Sequence, residues 1–430
     1  MPKPTFRFLH ASDLHLGQVA SGVDRPADAL ADLLVDCTYR AAERLFDIAL
    51  REEVDFVVLT GDVIDPTVAG IRGVLFLQQQ LERLAESGIS VYWGTTDDES
   101  WPEQVALPDA VVRLTPGESG HCSATPDKLP QVWLTAVDRS GVVSQRAVSR
   151  SGDVDKTYTV ALRSRPINSL ERMAAEDSGV DYWAFGGSHR RRTLFASKHT
   201  AAHVAGSHQG LDPSETDAHG ATIVSVDQEH QSRLWFVPTD ALRWRSETID
   251  AADADTLDDV ERKLTERARQ LAADVTAVDL AVTWQLNVPL RLYGAASRPD
   301  WLRELAERLN QRLAVTSPAA WTVAAEVVTP AELPPHWRER DDLCGEMLRE
   351  ADTLRSDRSL PIGIEAAIDT SGNVTSSDEA EGETSSVREL SDEQYLRGFL
   401  RLEDAHERRR LLDEAIVLGT SWLEAEEAQS

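Results

Sequence analysis

Apolar runs of strand length alternate with helical patterns in the first part of the chain. The run FRFLH at 6–10 is followed by apolar residues at helical spacing over 26–52. A second run, VDFVVLT at 54–60, precedes another helical pattern over 71–87 and a third run, ISVYW at 89–93. This β-α-β-α-β order predicts an α/β core with parallel strands, because parallel neighbours need a crossover that is usually a helix.

Further apolar runs extend the predicted first domain to about residue 240. They lie at 131–137, 157–162, 181–187 and 221–227. A smaller alternating pattern follows, with predicted strands near 244–249, over 279–292 and over 321–328, and predicted helices over 256–273 and 299–313. This second pattern predicts a smaller α/β domain.

The C-terminal part changes in composition. Residues 366–390 are rich in Ser, Thr, Asp, Glu and Gly and hold almost no large apolar residues, which predicts a disordered acidic linker. The capping-box pattern from Ser391 to Gln394 opens a predicted helix that reaches about residue 427. Its apolar positions allow either docking onto a partner or folding back on the second domain. The predicted segments are a first domain over 1–240, a small domain over 241–335, a connecting segment over 336–365, the linker over 366–390 and a C-terminal helix over 391–430.

Composition narrows the function classes. The 430 residues carry a net charge of −29, which disfavours attraction of DNA or anionic lipid to the whole surface but leaves a local basic groove open. No apolar run is long enough for a transmembrane helix, and the N-terminus lacks the apolar core of a signal peptide. Three cysteines without CxxC spacing agree with reduced thiols. We therefore expect a cytoplasmic protein with no membrane partner.

Two short motifs place candidate metal ligands after predicted strands. Asp13 and His15, in SDLH, follow the first strand, and Asp62, in TGDVID, follows the second. Side chains one residue apart can point to the same side at a strand end, and a carboxylate from the neighbouring strand can reach the same point. Mixed Asp and His ligands suit Mn²⁺, Fe or Zn²⁺ better than Mg²⁺ or Ca²⁺.

Three stretches resemble the calcineurin-like metallophosphoesterases, and within them the SbcD-like DNA repair exonucleases. They are FLHASDLHLG, VVLTGDVID and AGSHQGLDPSETDAHGATIVSVD. The resemblance covers about residues 5–230, and 240–330 more weakly. It implies a four-layer α/β metallophosphoesterase sandwich, a small α/β capping-type domain and a helical C-terminal tail. It also implies phosphoester hydrolysis, an SMC-like coiled-coil ATPase as partner, and the option of a homodimer.

The resemblance divides the family's motif positions into a retained and a lost set. The positions that hold one metal are all retained: Asp13, His15, Asp62 and His189. The other metal shares the aspartate and adds three positions, which have become Thr95, Arg163 and Gly187. The family's catalytic histidine is replaced by Thr96. The resemblance therefore implies one ion, most simply Mn²⁺ with Fe or Zn²⁺ as alternatives, and no confidently assigned catalytic residue.

Arginines near the lost positions suggest a substitute for the second ion. Arg163, together with Arg165, would place a guanidinium where that cation would sit, and a guanidinium suits bidentate contacts with phosphate oxygens. Arg190, Arg191 and Arg192 follow His189 and form what we call the basic lip, a candidate DNA or phosphate contact. The ordinary alternative is that these arginines only form a charged surface exposed to solvent.

Two other motif residues have ordinary alternatives. Asp65 completes GDxxD and is expected to hold its loop rather than bind metal. His208 is a candidate to replace a lost ligand, against the ordinary role of a loop histidine. The four retained residues could also form an inherited hydrogen-bond network that binds no metal. Metal binding is favoured, because carboxylates that cluster without a cation repel one another.

Two functions of different classes remain. The first is a metal-dependent phosphoesterase or DNA exonuclease with reduced, single-metal activity. The second is a catalytically inactive subunit that binds or regulates an SMC-like ATPase. The four retained ligands favour the first function, and the lost ligands with the missing histidine favour the second.

Overall fold

The computed structural model describes residues 5–95, 101–122, 131–137, 157–165, 178–274, 278–313, 319–328, 333–356 and 405–427. The predicted linker over 366–390, the start of the predicted C-terminal helix and Thr96 lie outside these residues. The chain divides into two compact units. The first comprises Met1–Glu247, Glu266–Thr283 and Ala306–Ala324, and the second comprises Thr248–Thr265, Trp284–Leu305 and Ala325–Ser430. The predicted domain limits stay a prediction.

The element order is mixed α/β, as the sequence predicts. The strands are β1 (Phe6–Ser12), β2 (Phe56–Thr60), β3 (Ser90–Gly94), β4 (Val111–Leu114), β5 (Ser119–Cys122), β6 (Gln131–Ala136), β7 (Thr157–Arg163), β8 (Tyr182–Phe185), β9 (Arg192–Ala196), β10 (Ala201–Val204), β11 (Gly220–Val226), β12 (Ser232–Pro238), β13 (Leu242–Asp250), β14 (Asp279–Asn287) and β15 (Ala320–Val327). The helices are α1 (Asp28–Arg51), α2 (Pro66–Glu86), α3 (Leu257–Asp274), α4 (Leu290–Ala296), α5 (Pro299–Leu313), α6 (Leu343–Ser356) and α7 (Ala405–Glu427).

The first sheet has the order β12-β11-β1-β2-β3-β4. Strands β1 to β4 are parallel, with Leu9 opposite Val57 and Val57 opposite Val91. The predicted parallel core is therefore confirmed. Strands β11 and β12 add antiparallel partners on the other side of β1. Helices α1 and α2 bury Leu45 and Leu77 in one cluster with the apolar residues on one face of this sheet.

The second sheet has the order β5-β6-β7-β8-β10-β9 and packs on the opposite face of the first. Phe8 stacks on Phe56 with ring centroids 4.8 Å apart and meets Tyr182 of β8 edge-on at 5.2 Å. Large aromatic rings thus fill the space between the sheets. The far face of the second sheet buries a further cluster that includes Trp183 and Phe185. This packing brings the ends of β1, β2, β7 and β8 to one edge of the first unit.

Several elements differ from the sequence prediction. Strands β4, β5, β9, β10 and β12 and helix α6 were not predicted; the short strands offer few positions in which an alternating pattern can show. The predicted strand over 279–292 is wrong at its end, because β14 stops at Asn287. Pro289 then precedes the first turn of α4, since its fixed φ suits a helix start and it cannot donate to a strand ladder.

The second unit contains only the C-terminal ends of β13, β14 and β15. Helix α7 folds back against other elements of this unit. The Gly294 amide in α4 donates to Ser421 Oγ at 2.7 Å, and Arg340 pairs with Glu424 at 2.6 Å. The side chain of Trp422 lies against Gly294, where a Cβ would meet its indole ring. Of the two arrangements open from the sequence, the structure shows the folded-back one. No helix in the described part of the chain is long and apolar enough to cross a membrane.

Candidate functional site

Two glycines let the loops after β2 and β8 touch. A Cβ on Gly186 would collide with the backbone of Gly61, and a Cβ on Gly61 would collide with the Asp13 carboxylate. Gly61 also has a φ of +72°, which a residue with a side chain rarely adopts. Because these loops meet without side chains between them, the residues that follow β1, β2 and β8 converge on one small region.

Asp13 ties this region together. Its buried carboxylate accepts hydrogen bonds from the Gly187 amide at 2.9 and 3.0 Å and a longer one from the Asp62 amide at 3.4 Å. Burial raises the pKa of Asp13, and the hydrogen bonds from Ser12 and Gly187 offset this only in part. The carboxylate thus joins the ends of β1, β2 and β8 through backbone groups. The side chain of Asp62 itself is exposed.

His15 and His189 face each other. Their Nε2 atoms lie 2.9 Å apart, with ring centroids separated by 4.7 Å. On its other side, His189 Nδ1 lies 2.5 Å from Glu215 Oε1, and Glu215 Oε2 accepts the Leu211 amide at 2.7 Å. The hydrogen bond with Glu215 raises the pKa of His189, whereas burial lowers the pKa of His15.

Sequence reasoning assigned no role to Glu215. Its signal was present, since it is the glutamate of LDPSETDAHG within a stretch that resembles the family. Burial by itself would raise the pKa of Glu215, but the hydrogen bonds from His189 and the Leu211 amide outweigh it and lower the pKa. Glu215 is therefore an ionised partner that orients the His189 ring, an arrangement typical of metal-binding histidines.

The paired histidines fit two ligands of one ion. With typical metal–nitrogen distances of about 2.1 Å, two Nε2 atoms 2.9 Å apart subtend about 90° at a shared ion. Asp13 is instead engaged by backbone amides and Asp62 is exposed. Among the described residues, no group of three or more His, Cys, Asp and Glu side chains could hold an ion. The structure pairs two of the four predicted ligands, His15 and His189. Burial lowers the pKa of His15, although the charges of Asp13 and Asp62 act to raise it.

The three positions at which the family's second-metal ligands are lost hold Thr95, Arg163 and Gly187, and each residue fits its local packing. Buried Thr95 bonds the Leu114 carbonyl through its amide at 3.0 Å. Gly187 has a φ of +73°, and a Cβ there would collide with the Ser164 carbonyl. Arg163, at the end of β7, is only 7 % exposed. Position 187 thus has no room for the histidine that the family places there.

Two minor predictions have clear outcomes. Asp65 caps the N-terminus of α2 and accepts the Thr67 amide at 2.8 Å, so its predicted role in holding the loop is confirmed. His208 is fully buried, and its Nε2 lies 2.8 Å from the Thr38 carbonyl oxygen. Its Nδ1 has no hydrogen-bond partner among the described residues. His208 belongs to no metal-binding group there.

The arginines lie around this region. Arg165 is exposed, and its Cγ lies 3.2 Å from the Cβ position of Gly187. All three arginines of the basic lip are exposed, and the Arg191 guanidinium stacks over Phe236 at 5.1 Å. A cavity of about 440 Å³ opens beside His189 and is lined by Arg190 and Arg191 but not by Arg192.

Comparison with known proteins agrees with the motif residues. Residues 6–94, which contain Asp13, His15 and Asp62, match the family described as Calcineurin-like phosphoesterase. This stretch is similar to calcineurin-like phosphoesterases. Together with the relatives, it supports membership of the chain in the calcineurin-like metallophosphoesterase superfamily, whose members use divalent metal ions.

Two relatives illustrate the breadth of the likeness. The chain is 26 % identical over 307 residues to an uncharacterized metallophosphoesterase, YhaO, of Bacillus subtilis, covering 66 % of this chain and 74 % of the relative. It is 23 % identical over 242 residues to the DNA double-strand break repair protein Mre11 of Sulfurisphaera tokodaii, covering 51 % of this chain and 59 % of that protein. These relatives support a metallophosphoesterase-family function and hydrolase chemistry.

Two solved structures show a distant likeness. A dimetal phosphatase from Danio rerio aligns with a TM-score of 0.35 and 13 % identity, over 54 % of this chain and 99 % of that one. The protein TT1561 of Thermus thermophilus aligns with a TM-score of 0.32 and 10 % identity, over 54 % of this chain and 98 % of that one.

Proposed function

We propose that the chain is a metal-dependent phosphoesterase of the DNA exonuclease type that works with one ion and reduced activity. The observation that carries this proposal is the pairing of His15 Nε2 and His189 Nε2 at 2.9 Å, with His189 oriented by Glu215. The likeness to a DNA double-strand break repair protein supports DNA as the substrate. We propose Mn²⁺ as the ion, because the ligand set predicted from the sequence mixes imidazole and carboxylate groups.

The chain's own residues have separate tasks in this proposal. His15 and His189 would hold the ion, and Asp13 keeps the loops after β1, β2 and β8 in register. An ion bound there would acidify a water and polarise a phosphoryl oxygen. Arg163 and Arg165 are proposed to bind phosphate oxygens, and the basic lip to receive the DNA backbone. Without the family's histidine at Thr96, the leaving group lacks its acid, which costs about 10²–10⁴-fold in rate.

The test is Mn²⁺-dependent hydrolysis of bis(p-nitrophenyl) phosphate and of end-labelled linear DNA by the full chain. His15→Ala and His189→Ala are expected to abolish hydrolysis, because these two side chains would hold the ion. His199→Ala is the matched control, because His199 is an exposed histidine outside the site, and it should keep the rate. Hydrolysis by His189→Ala at the unsubstituted rate would refute the proposal.

A second function is favoured by the Asp13 contacts. A carboxylate committed to two backbone amides suits a protein that keeps the site for structure. We propose as the alternative an inactive subunit that binds or regulates an SMC-like coiled-coil ATPase, either alone or as a homodimer. Mn²⁺ binding without hydrolysis, together with co-elution with such an ATPase from the same organism, would select this alternative. Light scattering would give the oligomeric state.

A further inference from the structure

A serine and a histidine meet in the wall of the cavity beside His189. Both Ser207 and His219 line this cavity, whose volume of about 440 Å³ falls in the range of about 300–1,000 Å³ that is typical of small-molecule sites. Ser207 Oγ lies 2.8 Å from His219 Nδ1. A hydroxyl within hydrogen-bond reach of an imidazole nitrogen is the arrangement that activates a serine nucleophile. Neither residue belongs to the set of predicted metal ligands.

The contacts around this pair indicate which group donates the hydrogen bond. In the described part of the chain, the Ser207 hydroxyl has no acceptor other than His219 Nδ1, and a buried hydroxyl proton without an acceptor is costly. Nδ1 also lies 3.2 Å from the Ser207 carbonyl oxygen, but that oxygen already accepts the Gly220 amide. Nδ1 therefore accepts from the hydroxyl, and Nε2 carries the ring proton. His219 is 8 % exposed, and its Nε2 bonds no other described residue.

Backbone hydrogen bonds hold both residues in place. The Ser207 amide donates to the His189 carbonyl at 3.1 Å, and the Gly220 amide donates to the Ser207 carbonyl at 3.2 Å. The His219 carbonyl accepts the Thr239 amide at 3.0 Å. A nucleophile and a base that the backbone holds in hydrogen-bond contact need little reorganisation before they react.

Two charged groups border the same cavity. Arg190 lines it, is exposed and has no hydrogen-bond or ion-pair partner among the described residues, so its guanidinium is available to an oxyanion. Burial by itself would raise the pKa of Glu215, but its hydrogen bonds and the charges of His189 and His219 lower it. The Glu215 carboxylate is therefore close enough to favour the positive charge that His219 gains when it takes a proton.

We propose that Ser207 and His219 form a metal-independent esterase pair for small carboxylic esters that enter this cavity. Ser207 Oγ attacks the ester carbonyl carbon while its proton passes to His219 Nδ1, and Arg190 stabilises the oxyanion that forms. The bond from the acyl carbon to the alcohol oxygen then breaks, and the alcohol leaves with the proton from His219. A water molecule, deprotonated by His219, attacks the acyl-serine. The carboxylic acid is released, and Ser207 regains its proton.

The test is release of p-nitrophenolate from p-nitrophenyl acetate by the full chain in EDTA, which removes metal-dependent hydrolysis from the readout. Ser207→Ala and His219→Gln are expected to lower the rate about 10²–10⁴-fold, or to the rate without protein, because they remove the nucleophile and its base. Ser214→Ala is the matched control and should keep the rate. Ser214 lines the same cavity, but its hydroxyl donates to Asp212 Oδ1 at 2.5 Å and contacts no histidine.

Labelling of the unsubstituted chain tests the proposal without a variant. Phenylmethylsulfonyl fluoride transfers its sulfonyl group to an activated serine oxygen, and fluoride leaves together with the hydroxyl proton. Peptide mass spectrometry should find this adduct on Ser207 and not on Ser214, and should find none in His219→Gln that thermal unfolding shows to be folded. Absence of the adduct from Ser207, or the same ester rate in Ser207→Ala as in the unsubstituted chain, would overturn the proposal.

This inference stands apart from the proposed phosphoesterase function, because the ester reaction consumes only water. Ester hydrolysis in EDTA without Mn²⁺-dependent hydrolysis of bis(p-nitrophenyl) phosphate would support the Ser207–His219 pair and refute the phosphoesterase. Mn²⁺-dependent hydrolysis of bis(p-nitrophenyl) phosphate without ester hydrolysis in EDTA would overturn the esterase pair alone.

Discussion

Glu215 Oε1 accepts the Nδ1 proton of His189 at 2.5 Å, while His189 Nε2 faces His15 Nε2 at 2.9 Å. A carboxylate on Nδ1 favours the tautomer that leaves the Nε2 lone pair free, and it holds the ring in one orientation. Glu215 is in turn held by the Leu211 amide. The loop around Glu215 therefore sets the orientation of the His189 ring.

Replacing Glu215 with Gln is expected to weaken Mn²⁺ binding about 10–100-fold, because the histidine loses the carboxylate that orients it and raises its basicity. Calorimetric titration of the full chain with Mn²⁺ measures this. Asp217→Asn is the matched control, since it removes an exposed carboxylate from the same loop without a contact to His189. Equal Mn²⁺ affinity in the two variants would show that Glu215 does not orient a ligand.

The contact between Glu215 and His189 predicts that the free energy of unfolding depends on pH. A histidine whose pKa is raised in the folded state stabilises it fully below the ordinary value of about 6.5 and loses this effect as the pH rises through the folded pKa. The loss of unfolding free energy in Glu215→Gln should therefore be larger at pH 6 than at pH 8.5. Urea unfolding at both pH values measures it. A loss that is the same at both would contradict an ion pair.

Restoring the family's histidine at position 187 is expected to destabilise the protein. Gly187→His and Gly187→Ala both combine a positive φ with a collision at the Ser164 carbonyl, and strain of this kind costs about 1–3 kcal/mol. Gly88→Ala is the control, because Gly88 has a φ of +74° but nothing within 4 Å of its Cβ position. Thermal unfolding should rank Gly187→Ala as less stable than Gly88→Ala. The reverse order would mean that position 187 has room.

Buried histidines predict acid sensitivity. Burial lowers the pKa of His203 and of His208 to about 3, so both stay neutral in the fold. The unfolded chain binds their protons below about pH 6.5, and stability should fall by about 1.4 kcal/mol per pH unit for each until the folded pKa is reached.

The test compares urea unfolding from pH 7.5 to 4.5 in two variants. His203→Asn should be less stable at pH 7.5, because His203 bonds Thr193 and Thr222, but its stability should fall less steeply with acid. His199→Asn, at an exposed site, should keep the original slope. An unchanged slope in His203→Asn would show that this histidine does not set the acid response.

Arg163→Ala is expected to weaken the binding of phosphate or DNA about tenfold or more in the presence of Mn²⁺, if its guanidinium takes the place of the second ion. Because Arg163 is buried, thermal unfolding must show that the variant is folded, and Arg163→Lys serves as the charge-preserving comparison. Arg51→Ala, at an exposed arginine outside the basic lip, controls for the loss of one positive charge. Unchanged phosphate and DNA binding in folded Arg163→Ala would refute this role.

The sequence by itself determined the elements whose signals are local. The alternation of apolar runs and helical periods predicted β1, α1, β2, α2 and β3 and their parallel order, because each signal extends over only a few neighbouring residues. The motif after β1 also placed His15 at a strand end, and the family resemblance implied that His189 joins the same site. Asp65 was predicted correctly because a helix cap acts within its own turn.

Contacts between distant segments were decided by the tertiary structure. The approach of Gly61 to Gly186, the turn of the Asp13 carboxylate towards Gly187 and the reach of Glu215 to His189 join residues that are 26 to 174 positions apart. Such contacts depend on how two sheets pack through their aromatic core, which no periodicity encodes. The sequence could therefore predict which residue types surround the site, whereas only the packed fold shows that two histidines face each other and that backbone amides engage the Asp13 carboxylate.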